Sequence, residues 1–350
     1  MALPLSILDL SPIDAGSSSG QALRNTIKLA QRADALGYTR YWLSEHHNTS
    51  MTASPVPEIM IAHVAQATER IHVGSGGVML PNHSPLKVAE GFRVLEALHP
   101  GRIDLGIGRA PGTDPRTALA LRRSREALNA DDFPEQLTEL LAFAQEEEFP
   151  VGHPFRTVKA TPMDVQLPPI WLLGSSDFSA QAAAAFGLGF SFAHHINPEF
   201  AVPAIRLYRE NFQPSKRLPA PHVILTTGVI CADTDEEVEG LSQAMALTFL
   251  RLRTGRAGQI ASPEEARAYQ YNAMERGMID EARRRQIAGR PEVVKEKLLT
   301  LVQQTGADEL MISAMMYGFE NRVRLIELLA AAFELPAATS YPAQQSTAQI

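Results

Sequence analysis

Histidines and one arginine follow three of the short apolar runs in this sequence, within four residues of the end of each run. Glu45, His46 and His47 follow RYWL, Arg109 follows IDLGIG, and His194 and His195 follow GFSFA. A histidine beside a carboxylate can accept or donate a proton near neutral pH. A guanidinium is a fixed positive charge that suits a phosphate. These residue types indicate proton transfer close to a bound anion.

A polar loop follows a fourth apolar run, IWLL. Gly174, Ser175 and Ser176 lie there and lead into an Ala-rich segment with helical spacing. The free N–H groups and hydroxyls of a helix N-terminus form a pocket for anions. We therefore predict that this loop and Arg109 bind one phosphate. The alternative is that Ser176 or its neighbour Asp177 only caps the helix, and capping can coexist with phosphate binding.

Two adjacent glycines, Gly76 and Gly77, lie within the apolar run Val73–Leu80. Glycine inside a strand usually marks a bulge or the close approach of another group. One interpretation is that the pair supports a planar ring on an unusual backbone, for which a non-prolyl cis bond is one form. The other interpretation is a bulge required by packing.

The histidine pairs also leave open a metal-dependent barrel hydrolase that uses His46, His47, His194 and His195 as ligands. Successive side chains of an extended chain point to opposite faces, so both members of a pair rarely bind one metal. We favour an arrangement in which one histidine of the first pair hydrogen-bonds Glu45 and the other faces the site. A purely structural role stays open for each of the four histidines.

The elements that position these residues alternate between strand and helix. The strands are apolar throughout, as in a parallel sheet that is covered on both faces. They are predicted at Leu5–Leu10, Arg40–Leu43, Val73–Leu80, Ile103–Ile107, Ile170–Leu173, Gly189–Phe192, His222–Ala232 and Glu309–Ser313. Eight such units predict an α/β fold, a (β/α)8 TIM barrel with insertions, whose strand ends converge on one catalytic face. An open doubly wound sheet would require a glycine-rich turn at Asp9–Gly16, which lacks the G-x-G-x-x-G pattern.

Two insertions and a tail complete the organisation. Pro150–Leu167 is predicted to consist of extended pieces, and Thr254–Gly289 to be a long excursion that could serve as a lid. We predict one domain over residues 1–335. Residues 336–350 are rich in Ala, Ser, Thr, Gln and Pro and are predicted to be a disordered tail.

The composition narrows the class of protein. The formal net charge is −7 without a Lys/Arg block, so nucleic acid and anionic membranes are poor partners. Cys231 is the only cysteine, which excludes a disulfide framework and cysteine-rich zinc sites. The N-terminus shows no signal-peptide pattern and no apolar run has the length of a membrane span, so we expect a cytoplasmic protein.

Three motifs together resemble those of the bacterial luciferase-like flavin-dependent monooxygenases. They read WLSEHH from Trp42, VGSGGVMLP from Val73 and GRIDLGIGR from Gly101. They occur in the order and spacing of that family, and the resemblance extends from Leu5 to about Leu329. The run SGGVMLPNHSPL is similar to that of single-chain members of unknown substrate.

This resemblance implies a (β/α)8 barrel that uses FMN, with His46 assisting the chemistry. It implies a non-prolyl cis peptide under the flavin ring at Gly76-Gly77 and a phosphate site at Arg109. The cofactor-binding residues expected on this basis are Ser75, Gly76, Gly77, Asn82, Arg109, Gly174, Ser175 and Ser176. Gly108 replaces the reactive cysteine of the luciferases, so light emission by their route is not expected.

The expected activity is a two-component monooxygenase that oxidises a small organic substrate. Reduced FMN would come from a separate flavin reductase, because the sequence shows no nicotinamide site, and O2 would be the second substrate. The family also suggests a homodimer. Two further alternatives are a reductase or dehydrogenase that uses flavin or deazaflavin to move hydride, and a flavin-binding protein without catalytic activity.

Overall fold

Parallel strands form a closed barrel in the computed structural model, which describes residues 3–129, 132–144, 149, 151–284 and 286–336. The strands are β1 (Leu5–Asp9), β2 (Arg40–Leu43), β3 (His72–Ser75), β4 (Val78–Met79), β5 (Ile103–Gly108), β6 (Ile170–Gly174), β7 (Gly189–Ala193), β8 (Val223–Cys231), β9 (Ile287–Gly289) and β10 (Glu309–Ser313). All except β4 and β9 form the barrel wall, and β10 closes it by pairing with both β1 and β8. The predicted (β/α)8 barrel is confirmed.

Helices cover the outside of the barrel. They are α1 (Ser19–Ala35), α2 (Pro57–Ala67), α3 (Pro85–Leu98), α4 (Pro115–Arg122), α5 (Arg125–Asn129), α6 (Phe133–Phe143), α7 (Asp177–Ala185), α8 (Ala201–Asn211), α9 (Asp235–Arg253), α10 (Pro263–Ala268), α11 (Ala273–Arg284), α12 (Pro291–Thr305) and α13 (Phe319–Ala332). Local signals fix several ends: Thr234 and Glu237 form a capping box before α9, and Gly306 ends α12 with a φ of 66°.

The inside of the barrel has its own small core. Leu8, Trp42, Trp171, Ile224 and Met311, from five different strands, pack together there and are almost completely buried. Successive residues of a strand alternate between its two faces. These five residues therefore identify the inward-facing positions of their strands.

Ion pairs close the N-terminal end of the barrel. The Arg40 guanidinium lies 2.8 Å from an Asp104 carboxylate oxygen and 3.1 Å from a Glu309 carboxylate oxygen, and Ser6 also donates to Glu309. The indole N–H of Trp42 donates to Asp104 over 3.0 Å. The opposite, C-terminal end of the strands is thus the end where a ligand would enter.

Two predicted segments differ from the structure. Val73–Leu80 is not one strand, because β3 ends at Ser75 and β4 begins at Val78. Thr254–Gly289 contains α10, α11 and β9, and its Ile260 exchanges main-chain hydrogen bonds of 2.8 and 2.9 Å with Ile13 and Ala15. That part of the excursion is anchored to the loop after β1.

Other predicted segments agree with the structure or fall outside it. Residues 151–169 form no strand or helix, as expected of an insertion, but they contain several turns rather than only extended pieces. The tail predicted at 336–350 lies, apart from Pro336, outside the described residues. The single domain over residues 1–335 stays a prediction.

Candidate active site

The peptide bond between Gly76 and Gly77 is cis, which confirms the predicted geometry. A Cβ atom on Gly76 would lie 2.5 Å from Cδ1 of Leu8, and one on Gly77 would lie 2.8 Å from the carbonyl oxygen of Gly106. Packing against main-chain atoms therefore requires glycine at position 77, whereas at position 76 the nearest atom is the end of a leucine side chain, which can shift. Support of a planar ring by this backbone stays a prediction.

Ser75 joins β3 to β5 through its side chain. Its hydroxyl donates to the Gly106 carbonyl over 2.8 Å and accepts from the Gly106 N–H over 2.9 Å, and the residue is fully buried. The Ser75 hydroxyl is thus engaged in holding the glycine-rich ends of the two strands together. Its expected contact with the cofactor is untested.

Glu45 is a buried carboxylate that accepts hydrogen bonds from three different residues. It accepts from His47 Nε2, from His83 Nε2 and from the Met79 N–H, each over 2.9 Å. Burial raises the pKa of Glu45, but the bonds from His83 and His47 outweigh burial, so the pKa lies below its usual 4.5. The prediction that one histidine of the first pair bonds Glu45 is confirmed, and that histidine is His47.

Asn82 and His83 complete this cluster after the 3-10 turn Leu80–Asn82. The Asn82 side chain donates to the Pro111 carbonyl over 3.0 Å and is 3.5 Å from Glu45. Burial lowers the pKa of His83, but its bond to Glu45 and that charge outweigh burial and raise the pKa above 6.5. Sequence reasoning missed His83, although it lies in the polar PNHSP segment that follows the third strand.

His46 is the histidine of its pair that does not contact Glu45. Its Nδ1 lies 3.2 Å from the Ser44 hydroxyl, and the side chain is partly buried. Burial lowers its pKa below 6.5; the Glu45 charge opposes this effect, and the neighbouring His47 and His195 add to it. His46 is therefore neutral at pH 7 and able to accept a proton.

Arg109 lies beside the loop that follows β6. Its Cζ atom is 4.0 Å from the ring centre of Phe178, in the first turn of α7. Arg109 is exposed and forms no hydrogen bond or ion pair within the described part of the chain. Arg109 and residues 174–176 thus follow or end two neighbouring strands, β5 and β6, and their joint binding of one phosphate stays a prediction.

The N-cap residue of α7 makes no side-chain capping bond. Ser176 occupies the N-cap position, but its hydroxyl accepts no helix N–H. Asn197 donates to the Ser175 carbonyl over 3.0 Å and fixes the loop. A Cβ on Gly174 would overlap the Ser179 side chain, which sequence reasoning missed and which lies against this loop. Of the two residues considered for capping, Ser176 makes no such bond, whereas the Asp177 carboxylate accepts the Phe178 N–H over 2.8 Å.

Comparison with known proteins now decides the family. A family model described as luciferase-like monooxygenase matches residues 3–309. The chain belongs to the luciferase-like monooxygenase family. It is accordingly a flavin-dependent oxidoreductase, and the family assignment made from the three sequence motifs is confirmed.

Similar members of the luciferase-like monooxygenase family cover nearly the whole chain. A protein of Escherichia coli K12 named luciferase-like monooxygenase is 40% identical over 93% of this chain and 96% of its own length. The N-acetyl-S-alkylcysteine monooxygenase of Bacillus subtilis 168 is 38% identical over 85% of this chain and 88% of its own. The solved structure of apo-MsnO8 is 37% identical, covers 96% of this chain and 99% of its own, and has a TM-score of 0.86.

The second histidine pair of this luciferase-like chain is held by β8. His194 is buried, and its Nδ1 is 3.1 Å from the Thr227 hydroxyl, whereas His195 Nδ1 is 3.2 Å from the Thr226 carbonyl oxygen. Across the described residues, no three His, Cys, Asp or Glu side chains are arranged to hold a metal ion. The hydrolase alternative therefore has no metal site in that part of the chain. None of the described helices is long and apolar enough to cross a membrane.

Proposed function

We propose that the chain is the oxygenating component of a two-component FMN monooxygenase. The observation that carries the proposal is Arg109: an exposed guanidinium without a counter-ion in the described structure, stacked on Phe178 at the start of α7, where Ser176 makes no capping bond. A cation beside the N-terminus of a helix matches the needs of a phosphate tail. Family membership supports a flavin as the molecule that carries this phosphate.

The residues around Arg109 fit FMN in their chemistry. Arg109, Ser175 and Ser176 would hold the phosphate, and Gly174 keeps their loop close to Ser179. The cis peptide of Gly76 and Gly77, with Ser75 behind it and Asn82 at its edge, would lie against the ring. Reduced FMN, when bound, supplies the activation of O2 for transfer to an organic substrate.

His46 is the residue that we assign to proton handling. It is neutral near pH 7 and is not committed to Glu45, whereas His47 is. The Glu45 cluster fixes the chain on either side of His46, because it joins the end of β2 to β4 and to the loop around Pro111. His46 would hold or donate a proton at its ring nitrogen while the surrounding barrel excludes water.

We also propose the partners of this reaction. A separate reductase delivers the reduced FMN, O2 is consumed, and the enzyme acts as a homodimer in the cytoplasm. N-acetyl-S-alkylcysteines are the first substrates to test, because a relative that is 38% identical is named for that activity.

Flavin binding and oxygen uptake test the proposal directly. We expect the visible spectrum of FMN to shift on titration with the protein, and O2 uptake with reduced FMN to rise when a substrate is added. Binding without substrate-dependent O2 uptake would instead favour hydride transfer by flavin or deazaflavin. An unchanged FMN spectrum together with no effect on reduced FMN would refute the proposal.

A histidine variant tests the assigned proton handler. His46→Asn should lower turnover by about 10²-fold or more while FMN affinity stays unchanged. His63→Asn, at an exposed position on α2, is the matched control. Normal turnover in the His46 variant would place this histidine among the structural residues.

A further inference from the structure

His195 projects over the mouth of the barrel from the wall opposite His46. Around the closed sheet, β2 and β7 are separated by three strands on either side, so they face each other. His195 lies in the turn that follows β7, and its Cβ atom is 4.0 Å from the position that a Cβ on Gly228 of β8 would take. His195 also contributes to lowering the pKa of His46.

The hydrogen bond from His195 to β8 fixes which ring nitrogen is free. The Thr226 carbonyl oxygen can only accept, so His195 Nδ1 carries the hydrogen in the 3.2 Å bond. Burial lowers the pKa of His195, although the Thr226 bond opposes it, and the ring is therefore neutral at pH 7. The side chain is nevertheless exposed to solvent. Its Nε2 therefore carries a lone pair on a side chain that solvent reaches.

Gly228 leaves space next to this lone pair. It is inward-facing on β8, in phase with Ile224 and Thr226. A Cβ atom at this position would meet only one atom within 4 Å, His195 Cβ at 4.0 Å. In β3, by contrast, a Cβ on Gly74 would collide with the Asp104 main chain at 2.6 Å. Gly228 is thus not required by packing, and the volume over it is open.

We propose that His195 and Gly228 form the substrate-recognition subsite of the enzyme. His195 Nε2 accepts a hydrogen bond from an O–H or N–H group of a neutral organic substrate, and the open space over Gly228 receives an apolar part of that molecule. The role as a substrate subsite rests on the proposed monooxygenase function, whereas the arrangement of His195 and Gly228 does not depend on it. His194 takes no part, because its ring is buried and bonded to Thr227.

Phenol and anisole are matched probes, because they share a ring and differ in one hydrogen-bond donor. In full-length protein labelled with 15N-histidine, with and without saturating FMN, phenol should shift the His195 Nε2 resonance and anisole should not. Phenol should bind roughly 2- to 12-fold more tightly than anisole, which is the range for one hydrogen bond. The experiment needs neither O2 nor a reductase, so its result is independent of whether the proposed monooxygenase activity is found.

Variants at His195, Gly228 and His194 show where phenol and anisole bind. His195→Gln keeps an amide group near the position of Nε2 and should retain the preference for phenol, whereas His195→Phe should abolish it. Gly228→Ala adds one methyl group in ordinary contact and should weaken both probes. His194→Gln should change neither. Equal binding of phenol and anisole, or a phenol shift that appears at His194 and not at His195, would overturn the proposal.

Discussion

Arg109 is the residue on which cofactor binding depends most directly. A hydrogen bond between a charged donor and a phosphate contributes about 1.5–3 kcal/mol. We expect Arg109→Ala to weaken FMN binding roughly 10- to 150-fold in a fluorescence titration. Arg116→Ala is the matched control, since Arg116 is an exposed arginine on the neighbouring α4 and should leave affinity unchanged. Unaltered FMN affinity in the Arg109 variant would exclude its phosphate role.

The shifted pKa values of Glu45 and His83 predict the pH range in which this pair stabilises the fold. The pKa of Glu45 is lowered, so its contribution is complete above 4.5 and is lost as pH falls through the folded-state pKa. The pKa of His83 is raised, so its contribution is complete below 6.5 and is lost as pH rises through the folded-state pKa. The pair therefore stabilises the protein most between pH 4.5 and 6.5.

His83→Gln should accordingly reduce the free energy of unfolding more at pH 6 than at pH 9, measured by guanidinium titration. His99 is a control for which the opposite pH dependence is expected. Burial and Arg102 lower the pKa of His99, so this histidine reduces the free energy of unfolding as pH falls below 6.5. His99→Gln should be better tolerated at pH 6 than at pH 9. The same pH dependence in both variants would contradict the assigned protonation states.

The sequence alone was sufficient to predict only part of the hydrogen-bond cluster around Glu45. The adjacency of Glu45, His46 and His47 indicates that one histidine bonds the acid, because the residues are neighbours in the chain. His83 lies 38 positions from Glu45, and its contact exists only because β4 and the following turn return to the end of β2. His194 and His195 both lie in the turn after β7, and only the fold shows that the first contacts the Thr227 hydroxyl and the second bonds the Thr226 carbonyl.

At the scale of elements, the N-cap residues of α7 and α9 allow a role in helix capping to be distinguished from a role in ligand binding. Ser176 makes no capping bond, so Ser176→Ala should change stability by less than about 0.5 kcal/mol while weakening FMN binding. Thr234 does form a capping box at α9. Thr234→Ala should cost about 1 kcal/mol and leave FMN affinity unchanged. Chemical unfolding and FMN titration of both variants distinguish the two roles, and equal losses of stability would contradict the assignment.

The glycines of β3 and α3 should respond to alanine in opposite directions. A Cβ on Gly74 would lie 2.6 Å from the Asp104 carbonyl oxygen and 2.9 Å from the Trp42 ring, and the main chain cannot yield cheaply. Gly74→Ala should therefore destabilise the protein by about 1–3 kcal/mol. Gly91 lies within α3 with nothing near its missing side chain, so Gly91→Ala should stabilise by about 0.5–1 kcal/mol. Thermal unfolding measures both, and a stabilised Gly74 variant would contradict the packing argument.

Element types were predictable wherever the apolar pattern was strong. The bounds of α2 and α3 follow from the sequence because proline begins each and the apolar spacing is regular. The break between Ser75 and Val78 was not predicted, since an apolar run is the same whether a strand continues or is interrupted. The helices of segment 254–289 were not predicted either: α11 is mostly polar, and it is held by packing on α9 that the sequence does not display.

At the scale of the whole molecule, the repeat of β–α units is what made the architecture predictable. Parallel neighbours require long crossovers, and eight such units have few alternatives to a closed barrel. Closure itself is a contact between distant parts of the chain: Leu5 pairs with Leu310 in β10, and Leu310 also pairs with Leu225 in β8. Without β10, both of its neighbours, β1 and β8, would become edge strands.

A pair of truncations tests this role of β10. A chain that ends at Gly306 loses Leu310, Met311 and Ile312, all fully buried. Their burial corresponds to about 4.5–9 kcal/mol, which is comparable to the whole stability of a domain, and β1 and β8 would expose unpaired edges. We expect that chain to aggregate or to lack a cooperative thermal transition. A chain that ends at Pro336 keeps β10 and α13 and should retain the full-length unfolding temperature and FMN affinity. Cooperative unfolding of the shorter chain would show that seven strands suffice, and loss of the transition in the longer one would assign residues 337–350 to the folded domain.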